Sequence, residues 1–290
     1  MQIAIYSRPK ISPELIYSTN LLISELKKAE AEVFLYQPFY DKIKTKLTDR
    51  NQKTFEKGDI YQFSCLVTLG GDGTILDAVE LVKRSGVPVL GINLGRLGFL
   101  AAIAPADIPA AVQQLCSGEY TIDARSLVAL QSNKTALGQF PFALNECTIQ
   151  KRDTSAMITI HAYLNGELLN SYWADGLIIA TPTGSTGYSM SCGGPILLPT
   201  AQNLVITPIA AHNLNVRPIA IPDDAKLHFE VTHRDKDFLL TLDSRTQVIN
   251  TSFELHLQKA DFTFNLIRFK PETFINALHS KLYWGFDKRN

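Results

Sequence analysis

Short apolar runs alternate with helical patterns through the first third of the chain. Ile3-Ala4-Ile5-Tyr6 reads as a strand, and Ser12-Pro13-Glu14 then supplies a helix N-cap, a first-turn proline and an acid at the positive helix end. Leu15, Leu22 and Leu26 recur at helical spacing, and Val33-Phe34-Leu35-Tyr36 reads as the next strand. Lysines and polar residues between positions 41 and 59 keep no firm period, which predicts an exposed loop or a weak helix. Cys65-Leu66-Val67-Thr68-Leu69 reads as a buried strand, positions 75–82 as a helix and positions 87–92 as another buried strand. Such alternation predicts a parallel sheet covered by helices.

From about residue 120 the period shortens to two. Ile158, Ile160, Ala162 and Leu164 alternate with Thr159, His161 and Tyr163, and Asn165-Gly166 then offers a two-residue turn into positions 167–172. The same pattern predicts hairpins joining 227–231 to 238–242 and 253–257 to 262–266. The expected fold is an α/β N-terminal domain with a parallel sheet over residues 1–119, followed by a β-rich, mostly antiparallel domain over 120–268. A tail, 269–290, regains helical spacing from Pro271 through Phe274, Leu278 and Leu282 to Trp284, and is expected to pack back on the first domain.

Composition narrows the function classes. A chain of 290 residues is long enough for two domains with separate cores. Its 28 basic and 28 acidic residues cancel, so charge calls for neither a nucleic acid nor a membrane surface. Cys65, Cys116, Cys147 and Cys192 lie far apart without a C-x-x-C pair, which argues against zinc and fits a reduced cytoplasmic chain. The N-terminus opens on a strand-like run rather than a leader pattern, and no apolar stretch reaches membrane-spanning length. The six histidines show no H-x-x-x-H spacing; only His212, which follows an apolar run and enters a polar turn, stands out.

Candidate chemistry concentrates in glycine-rich segments. Gly70-Gly71-Asp72-Gly73-Thr74 places one carboxylate among glycines directly after a strand. Glycines let backbone N–H groups approach a polyanion, and the following helix aims its positive end at the same spot. An aspartate there serves as a metal ligand, as a base toward an attacking hydroxyl, or only as a cap of a tight turn. Asn93-Leu94-Gly95-Arg96-Leu97-Gly98-Phe99-Leu100 follows the next strand and should emerge at the same sheet edge. The longest segment runs from Asp175-Gly176 through Thr181-Pro182-Thr183-Gly184-Ser185-Thr186-Gly187-Tyr188-Ser189-Met190-Ser191 to Cys192-Gly193-Gly194-Pro195. Its hydroxyls and small residues suit a ligand lying against the backbone, and its embedded strand argues against a linker. Asn145-Glu146 sets an amide beside a carboxylate, able to read an adenine edge and a ribose diol. There is no G-x-x-x-x-G-K-[ST], no G-x-G-x-x-G and no G-x-S-x-G, which disfavours a P-loop, a Rossmann fingerprint and a nucleophile elbow.

Together these segments resemble the NAD kinase family, which phosphorylates the adenosine ribose 2′-hydroxyl of NAD with ATP. The glycine turn alone is shared with diacylglycerol and sphingosine kinases; the 175–195 stretch is what separates them. The resemblance implies Asp72 as general base, with Gly73 beside it, and Phe99 near the adenine. Asn145 and Glu146 would hold ribose and adenine, Asp175 the nicotinamide half, and Thr186, Gly187, Tyr188, Ser189, Met190 and Ser191 the adenosine. It also implies ATP as phosphate donor, a divalent metal such as magnesium, and a homodimer or homotetramer. Gly187 stands where alanine is common, Ala156 and Trp173 where polar or basic contacts are common, and Asp243-Ser244-Arg245, with Gln247 nearby, replaces an Asp-Gly-Gln. A lipid or sphingoid kinase and a non-catalytic NAD(P)-binding sensor are the alternatives.

Overall fold

The computed structural model describes residues 1–8, 10–95, 98–132, 140–152, 157–232, 237–270 and 273–284. The chain divides into two compact units, one formed by Met1–Ala124 with Phe264–Asn290, the other by Arg125–Thr263.

The first unit contains β1 (Gln2–Ser7), α1 (Pro13–Lys28), β2 (Glu32–Tyr36), α2 (Gln37–Ile43), β3 (Lys53–Phe55), β4 (Cys65–Gly70), α3 (Asp72–Val82), β5 (Val89–Asn93) and α4 (Ile108–Ser117). Its strands pair in parallel in the order β5-β4-β1-β2-β3. The Ser12 hydroxyl accepts the Leu15 N–H at 3.1 Å, and Leu15, Leu22 and Leu26 are buried, as the helical spacing predicts. The segment after position 41 departs from expectation. It holds the end of a short helix and an edge strand, because Phe55 is buried with its ring against Tyr36 and Phe63 and anchors Lys53–Phe55 beside β2. One core joins the strand residues Ile3, Ile5, Val67, Leu69 and Ile92 to the helix residues Leu22, Leu26 and Val112.

The second unit takes up most of β6 (Thr121–Ser132), then β7 (Phe142–Ala143), β8 (Glu146–Lys151), β9 (Ile158–Leu164), β10 (Glu167–Ala174), β11 (Gly176–Ala180), the one-turn helix α5 (Tyr188–Ser191), β12 (Asn203–Ile209), β13 (Ile219–Pro222), β14 (Leu227–Thr232), β15 (Asp237–Leu242), β16 (Arg245–Asn250) and the start of β17 (Leu255–Arg268). The end of β17 returns to the first unit and precedes α6 (Phe274–Leu282). One antiparallel sheet runs β13-β12-β11-β8-β15-β16; β10, β9, β14 and β17 form a second antiparallel set. Their inner faces share a core that includes Ile149, Ile179, Ile206 and Leu240 from the first and Ile160, Phe229 and Leu255 from the second.

The hairpin at Asn165-Gly166 forms as predicted, with positive φ at both residues, 52° and 88°. The other two do not form. β14 pairs with β9 and β17, while β15 pairs with β8 and β16. Alternation marks which face of a strand is buried but not which strand lies beside it. Residues 255–268 make one strand of 14 residues, since Gln258-Lys259-Ala260-Asp261 lacks the glycine, proline or asparagine that would turn it.

Candidate active site

The first cluster lies at the carboxyl edge of the parallel sheet, where open α/β sheets bind ligands. β4 and β5 are adjacent, with Gly70 paired to Asn93, so both glycine segments leave from one edge. The Asn93 side chain shapes the second loop, its Oδ1 accepting the Gly95 N–H at 2.9 Å and its Nδ2 donating to the Ala101 carbonyl at 3.2 Å. Asp72 is the first residue of α3, and Gly71 is the N-cap, so Asp72 is not the cap that a bare turn would need. Its carboxylate reaches to the second loop instead. Oδ2 accepts the N–H of Phe99 at 2.7 Å, while Oδ1 accepts those of Leu100 at 3.0 Å and Ala101 at 2.9 Å. Only glycine fits at position 98, where a Cβ would lie 1.9 Å from Asp72 Oδ1.

Neighbours complete this edge. Arg268 donates to the carbonyls of Phe99 and Leu100, each at 3.0 Å, and pairs with Asp123 at 3.3 Å. The Phe99 ring meets Phe274 at 6.0 Å between centroids, with Lys281 Nζ 4.8 Å from its centre. Arg8, after β1, grips Asp77 with two nitrogens at 2.5 and 2.8 Å and donates to the Gly73 carbonyl at 2.8 Å.

The second cluster gathers Asn145, Glu146 and the hydroxyl-rich segment within the antiparallel unit. Thr181 fixes the preceding backbone, its hydroxyl donating to the Leu144 carbonyl at 2.5 Å and its N–H to the Asn145 carbonyl at 2.8 Å. Asp243 fixes the other side. Its carboxylate accepts three consecutive N–H groups, from Leu144 at 2.8 Å, Asn145 at 2.7 Å and Glu146 at 3.2 Å, and its own N–H returns to the Glu146 carbonyl at 3.0 Å. Main-chain groups are thus paired, yet the buried Asn145 Oδ1 and Glu146 Oε2 have no hydrogen-bond partner among the described residues. Gly187 lies against both, and a Cβ there would be 3.4 Å from Glu146 Oε2 and 3.6 Å from Asn145 Nδ2. Burial, then the charge of Asp243, pushes the Glu146 carboxyl up to about 8. Burial likewise raises Asp243 to about 6, against the pull of its three N–H donors and Arg245. Two acceptors left open in a low-dielectric pocket are costly unless a ligand brings donors.

Residues 6–120 match the ATP-NAD kinase N-terminal domain model, and residues 144–269 match the ATP-NAD kinase C-terminal domain model. The NAD kinase of Cytophaga hutchinsonii is 41% identical, with all of both chains covered. The chain belongs to the NAD kinase family. The NAD kinase of Flavobacterium johnsoniae is 44% identical, again over the whole of both chains. Among solved structures, an NAD kinase from Archaeoglobus fulgidus in complex with ATP superposes with a TM-score of 0.77 at 25% identity, covering 98% of this chain and 99% of that one. Yeast NADH kinase complexed with NADH shares the fold, with a TM-score of 0.87 at 24% identity over 99% of this chain and 88% of that one.

The positions that the NAD kinase family resemblance singles out fall into these clusters as follows. Asp72, Gly73 and Phe99 belong to the first, and Asn145, Glu146 and Gly187 to the second. Thr186 donates to the Thr183 carbonyl at 3.3 Å, and the buried Ser189 hydroxyl bonds that of Thr207 at 2.8 Å. Tyr188, Met190 and Ser191 follow in α5; the Tyr188 hydroxyl accepts from Gln150 at 2.9 Å. Its phenol is raised by burial first and then by nearby groups, among them Cys192, Asp175 and Glu146. Asp175 pairs with Lys151 at 2.7 Å. The 181–191 segment is no linker, since residues 181–185 are buried and continue into the one-turn helix. His212 packs against Trp173, with ring centroids 4.2 Å apart and planes tilted by 43°. Arg96, Leu97, Ala156, His233 and Pro271 lie outside the described residues. Arg245 is occupied, donating to the carbonyls of Phe140, at 2.6 Å, and Phe142. The sequence marks Thr181 only as part of the hydroxyl-rich segment and Asp243 only as part of the Asp-Ser-Arg that stands for an Asp-Gly-Gln, and it gives no signal for Arg268; all three act on main-chain groups.

Proposed function

We propose that this chain transfers the γ-phosphoryl group of ATP to the adenosine ribose 2′-hydroxyl of NAD, giving NADP and ADP. The observation that carries the reading is the pair of open acceptors, Asn145 Oδ1 and Glu146 Oε2, at positions the family resemblance gives to ribose and adenine. A ribose diol or an adenine amino group brings the donors that these oxygens lack. Membership of the family over the whole chain supports the same reaction.

In the proposed mechanism Asp72 accepts the 2′-hydroxyl proton as the ribose oxygen bonds to the γ-phosphorus and the bond to the β-phosphate oxygen breaks. Three of the four lone-pair positions of its carboxylate are used by the 99–101 amides, and the remaining one, on Oδ2, takes no donor among the described residues and is where the hydroxyl would bind. Gly73 lines the turn and Phe99 stands beside the adenine; Asp175 serves the nicotinamide half, and residues 186–191 the adenosine. Magnesium enters with ATP as part of the substrate. The reading carries with it a cytoplasmic homodimer or homotetramer. No helix among the described residues is long and apolar enough to cross a membrane.

The test is incubation of purified protein with magnesium, ATP and either NAD or NADH, with the product detected by a dehydrogenase specific for the phosphorylated form. NADP or NADPH is expected, and Asp72→Asn is expected to keep NAD binding while turnover falls by about a hundredfold or more. Unchanged turnover in that variant removes the base, and phosphorylation of diacylglycerol in preference to NAD removes the substrate.

A further inference from the structure

We infer that Asp243 is a positioning residue for the dinucleotide, holding the Asn145-Glu146 main chain so that both side-chain oxygens face the ligand. The inference rests on the functional reading above and adds a residue that does not itself touch substrate.

Residues 144, 145 and 146 place three successive N–H groups toward one carboxylate, at 2.7 to 3.2 Å, in the short stretch where β7 gives way to β8. Consecutive N–H groups point the same way only when the backbone curls into a concave nest, and an anion at its centre holds that curl. The curl sets the side-chain directions. Thr181 takes the carbonyls of 144 and 145, leaving the main chain little freedom to turn. The carboxylate is held in turn. Asp243 occupies the left-handed region at φ 53°, and its N–H is bound to the Glu146 carbonyl.

The energetic logic favours a role in binding over one in stability alone. Asp243 and Glu146 are two acids in one low-dielectric region, and the charge of Asp243 adds to burial in raising the cost of ionising Glu146. A fold selected only for stability would gain by replacing Glu146, whose Oε2 has no partner among the described residues, with a neutral group. Charge-assisted bonds from three N–H donors offset that cost while keeping Asn145 Oδ1 and Glu146 Oε2 unpaired. The groups that face Glu146 are Asp243 and, through Tyr188, the edge of α5; Arg245 is the cation beside Asp243.

The experiment compares wild type, Asp243→Asn and Asp243→Ser by calorimetric titration with NAD, by titration with ATP, and by thermal unfolding. Asp223→Asn, which breaks the Lys259 pair at 2.6 Å elsewhere in the same unit, reports a purely structural loss. NAD affinity is expected to fall by about tenfold or more in the Asp243 variants, with ATP affinity within about twofold of wild type, because the lost bonds are charge-assisted. The pH dependence of NAD affinity is expected to change with it. Unchanged NAD affinity in a folded variant overturns the inference, as does a parallel loss for NAD and ATP that Asp223→Asn reproduces. Should both Asp243 variants fail to unfold cooperatively, the intact protein still decides. NAD is expected to slow hydrogen exchange at the amides of 144, 145 and 146 by about tenfold, and no slowing overturns the inference. Absence of NAD binding by wild type, with ATP binding retained, sinks the functional reading itself and is told apart by being measured first.

Discussion

Asp72 and Arg268 hold opposite sides of one peptide strip. The carboxylate takes the N–H groups of Phe99, Leu100 and Ala101, and the guanidinium takes the carbonyls of Phe99 and Leu100. Each charge polarises the amides that the other binds, so the grip is mutual. Arg268→Met should therefore cost about 2 kcal/mol of stability, the usual scale for hydrogen bonds to a charged group. Turnover should fall with it, as the strip that steadies Asp72 loosens. Urea unfolding midpoints and kcat, measured side by side, check both. A variant as stable and as active as wild type would show that the strip keeps its shape without the cation.

Position 98 tests the closeness of that approach. Gly98→Ala forces a methyl group to 1.9 Å from Asp72 Oδ1, so the loop or the carboxylate must move. Turnover should drop sharply. Gly95→Ala, in the same loop, meets nothing nearer among the described residues than Asn93 Oδ1 at 3.9 Å and should lose far less. Steady-state kinetics of the two variants separate a steric effect at Asp72 from general damage to the loop.

Acid strength gives a prediction with a definite sign. Glu146 is raised from 4.5 to about 8 and Asp243 from 3.8 to about 6 in the folded chain. Folded protein thus binds more protons than unfolded chain between those values, so the contribution of these groups to stability falls as pH rises through the two windows. Glu146→Gln removes the larger effect. The variant should match wild type near pH 4.5 and become progressively more stable than it toward pH 8, as followed by unfolding midpoints across a pH series. A gap that is constant with pH would mean the carboxyl titrates normally.

The hairpin between β9 and β10 provides a change expected to leave substrate binding alone. Asn165 sits at φ 52° and bonds Lys226 through both its N–H and its Oδ1, each at 2.9 Å. Asn165→Ala should cost about 1 to 2 kcal/mol, the penalty for a Cβ-bearing residue without local hydrogen bonds in the left-handed region. KM for NAD and for ATP should stay the same. Unfolding and kinetics on one preparation settle it.

Much of the architecture was legible because local chemistry and global fold agree. Ser12 and Pro13 announce α1, and Asn165-Gly166 announces its hairpin, since each needs only neighbours in sequence. Partner choice was not legible. Nothing in positions 227–231 says that β9 lies beside them rather than 238–242, because burial constrains a face and leaves the neighbour open. The edge strand at Lys53–Phe55 was hidden for a related reason, three residues being too short to show a period. At the site, side chains carrying a motif were visible while their supports were not. Asp72, Asn145 and Glu146 stood out by type and setting. Arg268, however, lies 169 residues from Phe99, and only folding reveals which carbonyls it serves.

Both aspartate grips fall on main-chain amides, at 99–101 and at 144–146. Every amino acid but proline carries such an amide. The anchorage is therefore blind to what is written at those positions: Leu100, Ala101 and Leu144 can drift among apolar residues while the loop geometry persists, and one proline in either run would undo what no other exchange could.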